Sequence, residues 1–126
     1  MRYTNTYIQV KDFNKSVEFF EKVLETEANL YAENRWAQFL GFSIFCPDYD
    51  VINNVQKNAK GYSDVKVGNN VIIEFTCDDI EKEYERVKKL NLPNLSELKY
   101  LNVKAPYKYF MFEDLDGNCF EVGKLM

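Results

Sequence analysis

Apolar side chains follow two rhythms along this chain, and the same succession of rhythms occurs twice. Tyr7-Ile8-Gln9-Val10 alternates with period two, the pattern of a strand with one face buried. From Phe13 the apolar positions fall at Phe13, Val17, Phe20 and Val23, spaced i, i+4, i+7, i+10. That is the stripe of a helix lying with one side against a sheet. Glu74-Phe75-Thr76-Cys77-Asp78-Asp79-Ile80 opens a second copy, whose stripe runs Ile80, Tyr84, Val87 and Leu90. Asp79 stands 79 − 12 = 67 residues after Asp12, and this one offset superposes all four stripe positions. Asp12 and Asp79 take the N-cap positions, where a short carboxylate accepts a bond from an unpaired backbone N–H. Each predicts a helix of about three turns.

Three short strand-like segments follow each helix: residues 28–33, 36–40 and 42–46 in the first half, and 95–103, 107–113 and 118–122 in the second. Leu115-Asp116-Gly117-Asn118 reads as the hairpin turn before the last. Each half therefore predicts βαβββ, and the fold class is α+β. One domain is expected over 1–126, with module one over about 1–47, a polar connector over about 48–69 and module two over about 70–126. A short helix is expected near 51–57.

Composition narrows the function classes. With 46% hydrophobic and 16% aromatic residues, 126 residues suffice for a sizeable core. No apolar stretch approaches the roughly 20 residues of a membrane span. Met-Arg-Tyr-Thr-Asn at the N-terminus has no apolar core of a secretion signal, so a cytoplasmic location is expected. The net charge of −4 is spread without a basic block, which argues against a nucleic-acid partner. Cys46, Cys77 and Cys119 are odd in number and lack CxxC spacing, and they are expected as buried free thiols. The chain has no histidine, the commonest general base and transition-metal ligand.

The run Ile8-Gln9-Val10-Lys11-Asp12-Phe13-Asn14-Lys15-Ser16-Val17-Glu18-Phe19-Phe20-Glu21-Lys22-Val23-Leu24 resembles the opening of glyoxalase and bleomycin-resistance proteins. Phe112-Glu113-Asp114-Leu115-Asp116-Gly117-Asn118-Cys119-Phe120-Glu121-Val122 is similar to the closing F-x-D-P-D-G-N-x-x-E-[LV] motif of that superfamily, which includes the extradiol dioxygenases. Leu115 stands where the family usually has proline. The resemblance implies two tandem βαβββ modules building a curved, cup-like mixed sheet with helices on its outer face. It also implies a homodimer. Metal-dependent members draw four ligands from the first and last strands of the modules. Carried over, these fall on Asn5, Ile72, Glu121 and a position near Ile44. Only Glu121 keeps an ordinary ligand type, so no metal or other cofactor is expected. A rearranged hard-cation site using Glu121, Glu74 and waters is the remaining metal reading.

Strand alternation then sorts side chains by face. If Asn5, Ile72 and Glu121 face the cup, so do Tyr7, Gln9, Glu74 and Thr76, while the residues between them turn toward the helices. Trp36 and Tyr109 are the expected aromatic walls. Such a lining suits a small polar or cationic aromatic ligand. Three functions follow: a metal-free binding protein that sequesters such a ligand, a lyase or isomerase with Glu121 as general base, or an interaction module whose cup is vestigial. The first is favoured, and the last gains if the protein's own side chains fill the cup.

Overall fold

Asp12 and Asp79 each start a helix, as local capping chemistry requires. The Asp12 carboxylate accepts from the backbone N–H of Lys15, and the Asp79 carboxylate from that of Lys82. In the computed structural model, residues 1–3, 6–32, 35–46, 71–102 and 105–126 are described. Asn5 and the expected connector, with its short helix, lie outside them. The chain divides into two units, Met1–Lys66 and Val67–Met126. Both are α+β, and among the described residues each has one four-stranded mixed sheet and one helix.

The first unit runs β1 (Tyr7–Gln9), α1 (Phe13–Leu24), β2 (Asn29–Ala32), β3 (Trp36–Gln38) and β4 (Ser43–Phe45). Its sheet has the order β1-β4-β3-β2. β1 lies parallel to β4, so the chain must cross over between them, and α1 supplies that crossover. Phe20 touches Phe39 and Phe42 at ring-centroid distances of 5.5 and 5.2 Å, which puts α1 on the face carrying Phe42 and Ile44. The register adds Ile8 and Ala37 to that face. Phe20, Ala37 and Ile44 are fully buried there, and each large apolar side chain so buried is worth about 1.5–3 kcal/mol. Ser16 is buried with Phe13, Phe20 and Val23, so the packed side of α1 is turned slightly from the expected stripe. Val17 is left half-buried at its border.

The second unit repeats the plan with β5 (Ile73–Thr76), α2 (Ile80–Lys88), β6 (Lys99–Asn102), β7 (Pro106–Glu113) and β8 (Cys119–Leu125), in the order β5-β8-β7-β6. A Tyr84–Phe110 ring contact of 5.3 Å places α2 on the face of Phe75, Phe110 and Val122. α2 is shorter than predicted and stops before Leu90. Asn91 takes a left-handed φ of 52° and Pro93 follows, a sequence that cannot continue a helix. Leu92 is buried in its stead. Residues 95–98 do not join β6 either. Ser96 breaks the ladder, its N–H donating to Met111 O while its Oγ accepts from Met111 N.

The closing motif is a structural device. Asp114 is buried, and its carboxylate accepts from the backbone N–H groups of Asp116 and Asn118 and from the Asn118 side-chain amide, at 2.8–2.9 Å. Burial pushes its carboxyl up from the ordinary range, against the pull of those bonds. Gly117, at φ 86°, supplies the left-handed residue of the turn. The three cysteines form no disulfide, as expected, but are half-buried where burial was expected: Cys46 and Cys77 lie just beyond the ends of β4 and β5, and Cys119 stands on the face away from the helix.

Candidate functional site

Pairing register decides what the open face of each sheet displays. In the second unit Glu74 pairs with Glu121 and Thr76 with Gly123 across the parallel β5–β8 ladder. Across β7–β8, Met111 pairs with Glu121, Tyr109 with Gly123 and Tyr107 with Leu125. Residues in register share a face, so Glu74, Thr76, Glu121, Tyr107 and Tyr109 all stand on the side away from α2.

Tyr107 links the two carboxylates. Its hydroxyl lies 2.8 Å from Glu121 Oε1 and 3.0 Å from Glu74 Oε1. Tyr107 stands opposite Leu125, so its ring must lean along β8 to get there, and Gly123 is what lets it. A Cβ on Gly123 would meet the Tyr107 hydroxyl at 1.7 Å. Glycine inside a strand marks such close approaches. Tyr109 stacks on Tyr107 with centroids 5.7 Å apart and planes 19° from parallel. Partial burial, followed by donation to Glu121 and Glu74, holds the Tyr107 proton well above the usual phenol range. Among the described residues no lysine or arginine pairs with Glu74 or Glu121. Cys119 shares this face, and burial raises its thiol, as do Glu113 and Asp114, so it stays protonated at neutral pH.

The first unit's open face is furnished differently. Tyr7 pairs with Ser43 and Gln9 with Phe45, while Trp36 stands opposite Phe45. The rings of Tyr7, Trp36 and Phe45 pack on one another at 5.1–5.9 Å. Tyr7 and Gln9 thus share one face and Glu74 and Thr76 another, as alternation predicted, and pairing register adds Trp36 to the first and Tyr109 and Glu121 to the second. Asn5 falls outside the described residues.

The position expected near Ile44 falls one residue away, on Ser43, and not on Ile44 itself. Ile44 is fully buried against α1, with Ala37 and Ile8 beside it, and cannot face the open side. Tyr7 is to Ser43 as Glu74 is to Glu121, so Ser43 holds the place that Glu121 holds in the second unit. Sequence reasoning also missed Tyr107 and Gly123. The available signal was a glycine directly following Glu121-Val122 in a strand pattern.

These donors do not fit a transition metal. Ile72 precedes β5 and carries only hydrocarbon, and Ser43 offers a neutral hydroxyl in place of a carboxylate or imidazole. Glu121 is already engaged by Tyr107. Among the described residues no three His, Cys, Asp or Glu side chains cluster to hold an ion. Nor is any helix there long and apolar enough to cross a membrane.

Comparison with known proteins agrees with the architecture. The chain is 30% identical to an uncharacterized protein of Bacillus subtilis (strain 168), YwbC, over 95% of its own length and 94% of the relative's. Among solved structures it resembles a protein of unknown function from Agrobacterium tumefaciens str. C58, at 21% identity and a TM-score of 0.73, covering 100% of this chain and 95% of that one. It also resembles FosX, a genomically encoded fosfomycin resistance protein from Listeria monocytogenes, at 17% identity and a TM-score of 0.66, covering 100% and 92%. The profile of one family matches residues 2–122, nearly the whole of both units, and the chain belongs to it: the Glyoxalase/Bleomycin resistance protein/Dioxygenase superfamily.

Proposed function

We propose that this protein binds a small cationic ligand with an aromatic part on the open face of its second sheet, and holds it without chemistry. The observation that carries this reading is the convergence of Glu74 and Glu121 on one hydroxyl, with no cationic side chain among the described residues paired to either. Carboxylates in that state, beside the stacked rings of Tyr107 and Tyr109, attract an ammonium group by charge and accommodate a planar group by stacking. Thr76, exposed on the same face, adds a hydroxyl. The open face of the first unit has three rings packed on each other and offers no comparable charge.

Sequestration is preferred to proton abstraction by Glu121, because a cation held against that carboxylate engages it as a counter-charge and leaves it no longer available as a base. The name of the family includes bleomycin resistance, and capture of a cationic drug is a role of that kind. Calorimetric titration with phenethylammonium tests the proposal. Binding should weaken with added salt, and Glu74→Gln or Glu121→Gln should each weaken it about fivefold, the worth of one charge-assisted contact at a half-exposed position. No heat at millimolar concentration, or binding indifferent to both substitutions, would discard the reading.

A further inference from the structure

A single hydroxyl between two carboxylates is an unequal match. A phenol has one proton and donates fully to one oxygen at a time, yet Tyr107 has acceptors at 2.8 and 3.0 Å on two different side chains. At each moment one of the two oxygens faces Tyr107 without a proton between them. The placement is nonetheless specific. The ring reaches these oxygens only because position 123 is glycine, whereas the equivalent position of the first unit, opposite Gln9, is filled by Phe45. Tyr107 is half-buried, so its hydroxyl reaches water once it moves.

We infer that Tyr107 is a resident occupant of the carboxylate pair, and that the ligand is a cation with at least two N–H donors, which displaces it. The inference rests on the cation-binding role proposed above and specifies its ligand class and its regulation. A primary ammonium presents three N–H groups and satisfies Glu74 and Glu121 together, which the tyrosine does not. That gain, with the charge, offsets the loss of the Tyr107 bonds. A quaternary ammonium has the same charge and no N–H, and leaves both carboxylates without a donor when Tyr107 departs. Gly123 is a positioning residue in this scheme. It touches no ligand and acts by setting where Tyr107 rests.

The test is calorimetric titration of wild type, Tyr107→Phe, Gly123→Ala and the double variant with phenethylammonium and with phenyltrimethylammonium. Tyr107→Phe should bind phenethylammonium about fivefold tighter, the worth of one net hydrogen bond no longer displaced. Gly123→Ala keeps the hydroxyl but moves it off the carboxylates, and should tighten binding in the same direction. The two changes should not add, because they remove one and the same contact. Phenyltrimethylammonium should bind wild type at least about tenfold more weakly than phenethylammonium. If Tyr107→Phe binds phenethylammonium no better than wild type, Tyr107 is not displaced, and the inference falls while cation binding stands. Equal affinity for the two ammonium ions overturns the donor requirement. Absence of binding in all four proteins overturns the cation-binding role itself. If Gly123→Ala does not fold, Tyr107→Phe decides alone.

Discussion

In the first unit Tyr7 sits beside Ser43 and Gln9 beside Phe45, with Trp36 opposite. In the second, Glu74 sits beside Glu121 and Thr76 beside Gly123, with Tyr109 opposite. The backbone lattice is the same, down to the parallel pair and the order of the four strands. On the helix side the equivalent positions keep one chemistry, with Ile8, Ala37 and Ile44 matched by Phe75, Phe110 and Val122. On the open side they diverge, to an aromatic cluster in one unit and a tyrosine-bridged carboxylate pair in the other. Burial against a helix constrains only one face of a sheet, so the other is free to acquire different chemistry without loss of the fold. The single substitution of glycine for an aromatic residue, Gly123 against Phe45, then decides whether a neighbouring ring can reach across the strand.

The shared lattice can be broken most severely from its helices. Phe20 and Val87 hold the same stripe position, and both are fully buried. Phe20→Ala should cost about 3–5 kcal/mol in urea unfolding, and Val87→Ala about 2 kcal/mol, from the methyl groups lost. Equal losses would show that the two helices do not carry equivalent burdens. Next in size come the hairpin turns. Asp114→Ala removes the acceptor for three bonds and should cost about 2–3 kcal/mol. Gly41→Ala, in the corresponding turn of the first unit, should stay within about 0.5 kcal/mol, because nothing lies within 4 Å of the added Cβ. A costly Gly41→Ala would mean that the first turn is as constrained as the second.

The smallest effect is confined to alkaline pH. The Tyr107 proton is held more tightly in the folded chain than in the unfolded one, so its contribution is fully present below the ordinary phenol pKa of about 10. It is lost as pH rises from there through the raised folded value, since only the unfolded chain sheds the proton. Wild type should therefore lose stability above about pH 10 more steeply than Tyr107→Phe, by the equivalent of up to one proton. Stability measured in urea at stepped pH, with tyrosinate absorbance in parallel, reads this difference. Identical slopes would show that Tyr107 is not held by Glu121 and Glu74, and would erase the contrast between the two open faces.

Much of the fold was legible because its determinants are local. Asp12 and Asp79 cap helices through contacts three residues away, and alternation alone assigns Glu74 and Thr76 to one face and Phe75 to the other. Asp114, Gly117 and Asn118 build their turn within five residues. The position near Ile44 was legible only to within a residue, because Phe42-Ser43-Ile44-Phe45 has apolar residues on both faces and its pattern does not say which one meets the helix. Tyr107 and Gly123 were missed for a different reason.

By itself, then, the sequence determined the repeat, the two helices, the parity of the strands and the turn chemistry, since each follows from spacing within a few residues. Only the tertiary structure decided that Ser43 is the counterpart of Glu121, and that Tyr107 spans Glu74 and Glu121 above Gly123. Those relations join residues on different strands, at least 14 positions apart in the chain, and they depend on inter-strand register and on the space one missing Cβ leaves, neither of which a local pattern encodes.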